Sequence, residues 1–357
     1  MTTRRGFLAG LLAAGTWPRL TWADAGSPAF IAAAQEPDGG YALFGLSTDG
    51  DDLFRIPLPG RGHAATAHPD VPEAVAFARR PGTFALVINC VTGDLTQQLT
   101  APEGHAFSGH GVFSLDGETL YTSEVVEETG EGRIGIWSRS DGYHRRGDIA
   151  SGGIGPHEIR RLPGSETLVV ANGGIRTTPG GREKLNIATM RPNLTYLAPD
   201  GTVQQQIALA EEAHQASIRH LALTATGLVA FAMQWEGDVN AAPPLLGLHR
   251  LGDAAATLAV APGGEHAALA GYIGSVAVFD GEQSIAVSSP RGGRVQIFGT
   301  DGTYRRTILR DDVCGLAGLG HALVMTDGFG TFVQTLDGKP VSHRSANRAW
   351  DNHMVAV

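Results

Sequence analysis

The chain has 357 residues, and 27 lysines and arginines stand against 36 aspartates and glutamates for a net charge of −9. Lys184 and Lys339 are its only lysines and there is no basic run, which argues against nucleic acid as a partner. Glycine, at 49 residues, is about twice its usual share of ~7%. With short apolar runs, few helix caps and no sustained 3.6-residue period, the composition points to an all-β chain rather than a helical or Rossmann one.

The first element is "MTTRRGFLAGLLAAGTWPRLTWADAG". Arg4-Arg5, a weakly apolar run to Ala14 and the small-residue pattern Ala23-Asp24-Ala25 together resemble a twin-arginine export signal. The apolar run falls short of the ~20 residues a spanning helix needs, and no later run is long enough, so no membrane span is expected in the mature form. Residues 1–25 are read as the signal and 26–357 as one domain, exported to the periplasm. Removing the signal takes away Arg4, Arg5, Arg19 and Asp24, leaving 24 basic and 35 acidic residues and a charge of −11. Cys90 and Cys314 form no Cys-x-x-Cys motif; pairing between them in an oxidising compartment stays open.

Next come repeated units, each a short apolar strand, a turn and a second strand: "PEAVAFARRPGTFALVINC", "HGVFSLDGETLYTSEV", "HEIRRLPGSETLVVANG", "HLALTATGLVAFAMQ", "SVAVFDGEQSIAVSSP", "CGLAGLGHALVMTDG" and "HMVAV". Asp-Gly and Pro-Gly mark several of the turns. Seven units predict a seven-bladed β-propeller with four-stranded blades; six or eight blades are the rivals. The last unit lacks its second half, so "AFIAAAQ" and "ALFGLSTDG" near the start are expected to close the ring.

Aligned on their second strands, the units open their first strands with Glu73, His110, His157, His220, Ser275, Cys314 and His353. Propeller first strands line the central channel, so these side chains are expected to converge at one mouth. Imidazole, thiolate and carboxylate are ligands of transition metals. His110, His157, His220 and His353 are therefore expected as main ligands, with Cys314 and Glu73 as further ones. Glu158, Asp351 and Asn352 would orient the rings from behind. Iron or copper suits such a set better than calcium or magnesium, and tetrahedral zinc would leave members unused. A polar channel for a small anion or organic ligand, or a purely structural ring, are the other readings.

His63, His68 and His105 read first as solvated loop positions, with a place at the channel mouth as the alternative. His214 is open between the two. His144, His249, His266, His321 and His343 read as surface positions. Cys314 as a catalytic nucleophile is a minor reading; no Gly-x-Ser-x-Gly elbow or Walker loop occurs. "ANGGIRTTPGGREKLNIATMRPNLTYL" is too long for a plain blade, and residues 172–193 are expected to form either a lid over the channel or a docking surface.

"GHGVFS", "GIGPHE", "VANGGIRT", "GREKLN", "SIRHLA", "SSPRGG", "VCGLAG" and "WDNH" together resemble a bacterial family catalogued as domain of unknown function 1513, over essentially the whole mature chain. The resemblance implies a seven-bladed propeller exported by the twin-arginine route. It also implies iron as the metal, since such genes accompany imelysin-like and di-haem-peroxidase-like proteins of iron acquisition. Where that family reads "GGIRTHP", this chain has Thr178 in place of the histidine. The expectation is a monomeric periplasmic metal-binding accessory protein of iron uptake, with imelysin-like partners. A metal-dependent redox enzyme, a lactonase-like hydrolase and an interaction scaffold are the alternatives.

Overall fold

The computed structural model describes residues 20–80 and 84–357. The twin-arginine segment lies outside the described residues. Seven four-stranded antiparallel sheets form the blades of a β-propeller, as the repeats predict. Helix is confined to single turns, of which Gly264–Ala267 is the one α-helical case among the described residues. No described helix is long and apolar enough to cross a membrane.

The innermost strands, in chain order, are Gly62–Ala67 (blade 1), His105–Phe113 (blade 2), Pro156–Arg161 (blade 3), Ala216–Leu223 (blade 4), Ser275–Phe279 (blade 5), Val313–Leu319 (blade 6) and Ala349–Ala356 (blade 7). Each packs beside the next, and the last beside the first, around the channel. Blade 7 joins the two ends of the chain. Its inner strand comes from the C-terminus and pairs antiparallel with Phe30–Gln35, with Phe30 opposite Ala356 and Gln35 opposite Ala349. The closure predicted from the unpaired "HMVAV" is therefore present, and it leaves Phe30–Gln35 paired on both sides.

Hydrophobic packing fills the seams between blades. Between blades 6 and 7, Phe30, Phe44, Phe332 and Trp350 form one cluster, each burial stabilising by about 1.5–3 kcal/mol. Trp350 meets Phe44 edge-on at 5.6 Å, and the Arg348 guanidinium lies 4.0 Å over the Phe44 ring. The tryptophan of "WDNH" thus anchors the closing strand, while its histidine faces the channel. Trp22, in the short turn Trp22–Ala25, donates its indole N–H to the His68 carbonyl at 2.9 Å. The stretch bordering the expected signal boundary therefore packs on the propeller.

Cys90 and Cys314 are both free and buried. The pairing left open by the sequence is not formed.

Candidate metal centre

The inner strands are not regular where they enter the channel. In blade 3, Pro156 pairs with Asn172 and Ile159 with Val170, so His157 and Glu158 together face a single partner residue. Similar register shifts fall between Gly62 and Ala65, between Phe107 and Gly111, between Ile218 and His220, and in blade 7 opposite Ala32–Ala34. A bulge of this kind turns a side chain out of the strand's alternation. Here it aims an imidazole inward at each site.

Five imidazoles meet as a result: His63, His110, His157, His220 and His353. Of the ten possible pairs of rings, eight have centroids within 6.1 Å. His110 neighbours all four others. The remaining four form a closed cycle, His63 to His157 to His220 to His353 and back. Two groups of three have ligand nitrogens within 4.8 Å of one another, His63–His110–His353 and His110–His157–His220, and His110 belongs to both. The Nε2 atoms of His110 and His63 stand 3.2 Å apart.

Burial sets the charge state. It pushes the pKa of His110 down to about 3, against the opposing pull of Glu158. Burial and then the neighbouring rings hold His63, His157 and His353 well below the ordinary imidazole range. These rings are neutral at pH 7 and offer lone pairs. Nδ1 of His63, His157 and His220 and Nε2 of His353 are buried without a hydrogen-bond partner. Such orphaned nitrogens are costly in a folded protein, and a metal ion bound among them would relieve that cost. The ring thus fits a transition metal.

The supporting carboxylate works across blades. Glu158 faces His220 of blade 4, with Oε2 3.5 Å from Nδ1, rather than its sequence neighbour His157. Glu158 also accepts the Leu221 N–H at 3.0 Å and the Arg160 Nε–H at 2.6 Å. Burial opposes its ionisation, yet Arg160 and His220 outweigh that and hold its carboxyl well below the usual range. Asp351 ties blade 7 to blade 1 by accepting from Arg61 Nε (2.6 Å) and Arg79 Nη1 (3.0 Å). Asn352 lines the cavity above the ring.

Gly109, in "GHGVFS", has φ +97°, and a Cβ there would come within 2.5 Å of the His63 ring. Gly155, in "GIGPHE", has φ +57°, and a Cβ would lie 2.4 Å from the Ile175 carbonyl of the 172–193 segment. Both glycines serve close approach at the ring.

Two expected members lie elsewhere. Glu73 begins the second strand of blade 1, not the first. Its carbonyl accepts the His68 N–H (2.8 Å) just beyond the far end of the inner strand Gly62–Ala67, and its carboxylate pairs with Arg139 (2.8 Å) and Tyr143. Cys314 sits at its expected strand but points into the seam, its thiol donating toward the carbonyls of Asp312 (3.4 Å) and Trp350 (3.6 Å). Burial pushes the thiol pKa up to about 12, so the free thiol is protonated at neutral pH and is not an activated nucleophile. Ser275 borders the channel, and its hydroxyl accepts the Leu316 N–H at 3.3 Å.

His63, read from sequence as a solvated loop residue, is a buried member of the ring. The Gly-His pair shared by "GRGHA" and "FSGHG" is the signal that marks it. His68 is buried too, but its Nδ1 accepts the N–H groups of Asp70 (3.1 Å) and Val71 (3.2 Å). His105 stands 3.6 Å from Glu124, and His214 caps a single turn at Glu211. None of these three belongs to the clustered ligand groups. His249 and His266, read as surface positions, are buried and bonded to the Tyr196 hydroxyl (2.8 Å) and the Pro243 carbonyl (2.7 Å).

The segment 172–193 crosses the mouth at which the ring lies. Asn186 ties it internally, accepting the Arg176 N–H at 2.7 Å and donating to the Gly174 carbonyl at 2.9 Å. Gly180 N–H reaches Glu127 of blade 2, and Lys184 pairs with Glu236 of blade 4. The segment thus bridges blades 2 and 4 across that mouth. Thr178 lies in its turn, bonded to the Glu183 carbonyl at 3.0 Å.

Fold and site together define a seven-bladed β-propeller with a buried cluster of five histidines at one mouth. The chain belongs to the family described as "Protein of unknown function (DUF1513)", whose model matches residues 56–357. No curated protein sequence matches it significantly. Among solved structures it is similar to Kuenenia stuttgartiensis hydrazine synthase, with a TM-score of 0.61, 14% identity, and coverage of 90% of this chain and 98% of that one. At that identity the likeness concerns the fold alone.

Proposed function

We propose that this protein is a periplasmic transition-metal-binding propeller, with iron the favoured metal and copper the alternative, acting as an accessory in iron acquisition. The observation that carries the metal is the set of five clustered imidazoles, four of which have a buried nitrogen without a hydrogen-bond partner. Imidazole suits iron, copper, nickel and zinc. A set of five nitrogens exceeds what tetrahedral zinc uses, and hard calcium and magnesium prefer oxygen. Iron rather than copper, the periplasm and imelysin-like partners rest on the resemblance of the exported family.

The ion would be held at His110, which both ligand groups share, with His63 and His353 or with His157 and His220 completing the set. The chain's own contribution is to keep the His63, His110, His157 and His353 rings neutral by burial, to fix His220 through Glu158, and to narrow access with residues 172–193. A second reading, a metal-dependent redox enzyme, draws support from the cavity that reaches His63, His157 and His220 from outside. Bound substrate would have access to the ring there.

The test is elemental analysis of untagged protein purified from the periplasm, beside a His157→Ala/His220→Ala variant. About one equivalent of iron or copper in the parent, lost in the variant, is expected. A parent that is metal-free and takes up neither added metal sinks the proposal. Turnover with a redox substrate would move the protein to the second reading.

A further inference from the structure

Outside the ring, under the 172–193 segment, lies a cavity of about 310 Å³. Its wall carries Arg79, Arg80, Arg182, Lys184, Arg219 and Arg291 against a single carboxylate, Glu236. Glu236 is taken by Lys184, and Arg79 is taken by Asp351 at 3.0 Å. Among the described residues the other four guanidiniums have no acidic partner. Nε of Arg219 is buried without any hydrogen bond. Arg80 donates only to a neutral acceptor, Thr177 Oγ1, at 3.2 Å. Arg291 is stacked 4.3 Å over the Tyr272 ring, which holds its planar fork in place.

Four unpaired guanidiniums around one half-open cavity repel each other. Burial first, and then a neighbouring guanidinium, lowers the proton affinity of Arg80 and Arg182. The arrangement is costly unless negative charge enters it. Guanidinium forks match planar carboxylate and phosphate oxygens. At about 30 Å³ per water in the liquid, the cavity has room for a ligand of about ten non-hydrogen atoms. His63, His157 and His220 line the same cavity, so an occupant sits directly against the ring.

We propose that this vestibule is a binding site for a small multivalent oxyanion, a di- or tricarboxylate or a phosphate, recognised by Arg80, Arg182, Arg219 and Arg291. The site is independent of the metal in its chemistry. It deepens the metal-binding reading in one respect: with metal in the ring, the anion is placed to accompany the ion as its chelating counter-ligand.

The test uses the full mature chain after chelator treatment, so that no metal contributes. Calorimetric titration at low salt is run with citrate in one arm and inorganic phosphate in the other. One anion per protein is expected, with affinity falling as salt rises. Arg182→Gln/Arg219→Gln should weaken it at least about tenfold, since losing two charge-assisted bonds together removes more than about one decade. Because Arg219 is partly buried, Arg182→Gln alone serves as the exposed, fold-neutral variant and should weaken binding several-fold. Tighter citrate binding identifies a carboxylate chelate, and tighter phosphate binding a phosphate-bearing ligand; either supports the site. No binding in either arm, or unchanged binding in a folded Arg182→Gln protein, overturns it. A parent protein that takes up neither iron nor copper leaves this result untouched, so the two claims fail separately.

Discussion

Blades 3 and 5 are built from the same four antiparallel strands, yet they meet the channel differently. In blade 5, Ser275–Phe279 pairs with Ser284–Ser289 without a slip, and its second and third strands are joined by the short turn 290–293. Ser275 spends its hydroxyl on a neighbouring backbone N–H. In blade 3 the inner strand bulges at His157 and Glu158, and the same connection expands into the segment 172–193. One blade brings no histidine to the ring; the other brings an imidazole, the carboxylate beside His220 and the long segment over the mouth. The difference shows how a uniform scaffold acquires a site: an extra residue in a strand re-aims a side chain, and one long connection covers it.

The comparison predicts unequal consequences. The largest follows from His110→Ala, because His110 belongs to both ligand groups. Metal affinity should fall by more than the roughly 10- to 100-fold that loss of a supporting partner costs, measured by competition with a coloured chelator. Retention of stoichiometric metal would show that the two groups do not form one site.

Acid comes next. His63, His110, His157 and His353 have folded pKa values lowered by burial, that of His110 to about 3. The unfolded chain takes up protons at these residues below about pH 6.5 while the folded chain does not. Stability of the metal-free protein should therefore be intact above that pH and fall as pH drops toward 3. Each such histidine adds about 1.4 kcal/mol per pH unit, read as urea midpoints. The His157→Ala/His220→Ala variant should show a shallower fall, having lost one of the four. A flat profile would mean the rings are not buried neutral.

Glu158→Gln should act more mildly. It removes the charge that Arg160 and the Leu221 N–H point at, costing about 1–3 kcal/mol, and weakens metal about 10- to 100-fold by freeing His220. The smallest effects belong to the quiet side of the ring. Cys314→Ala should change metal content not at all and stability by only about 1–2 kcal/mol. Metal loss there would return the thiol to the ligand set.

Much of the architecture is legible in the sequence because it repeats. Strand–turn–strand units recur six times, several with Asp-Gly or Pro-Gly turns, and a lone terminal strand demands a partner. Four of the five ring histidines follow from that repeat, since each begins a recognisable apolar run. His63 escapes because its strand, "GHAATA", is short and alanine-rich and carries no alternation of size or polarity. The more strongly patterned second strand of blade 1 then takes its place in the alignment, and Glu73 is carried into the ring with it. Cys314 shows the other limit. Position on an inner strand is readable, but the direction of a side chain at a bulge depends on pairing across the blade, which neighbouring residues in sequence do not encode. Glu158 supports His220 for the same reason: the contact runs between blades, 62 positions apart in the chain.

The measurement that bears most directly on the central claim is X-ray absorption at the metal edge of the metal-loaded protein. The account predicts a ligand shell of nitrogen, with the multiple-scattering pattern of several imidazoles and no sulfur. A sulfur shell near about 2.3 Å, or a metal surrounded by oxygen alone, would contradict it.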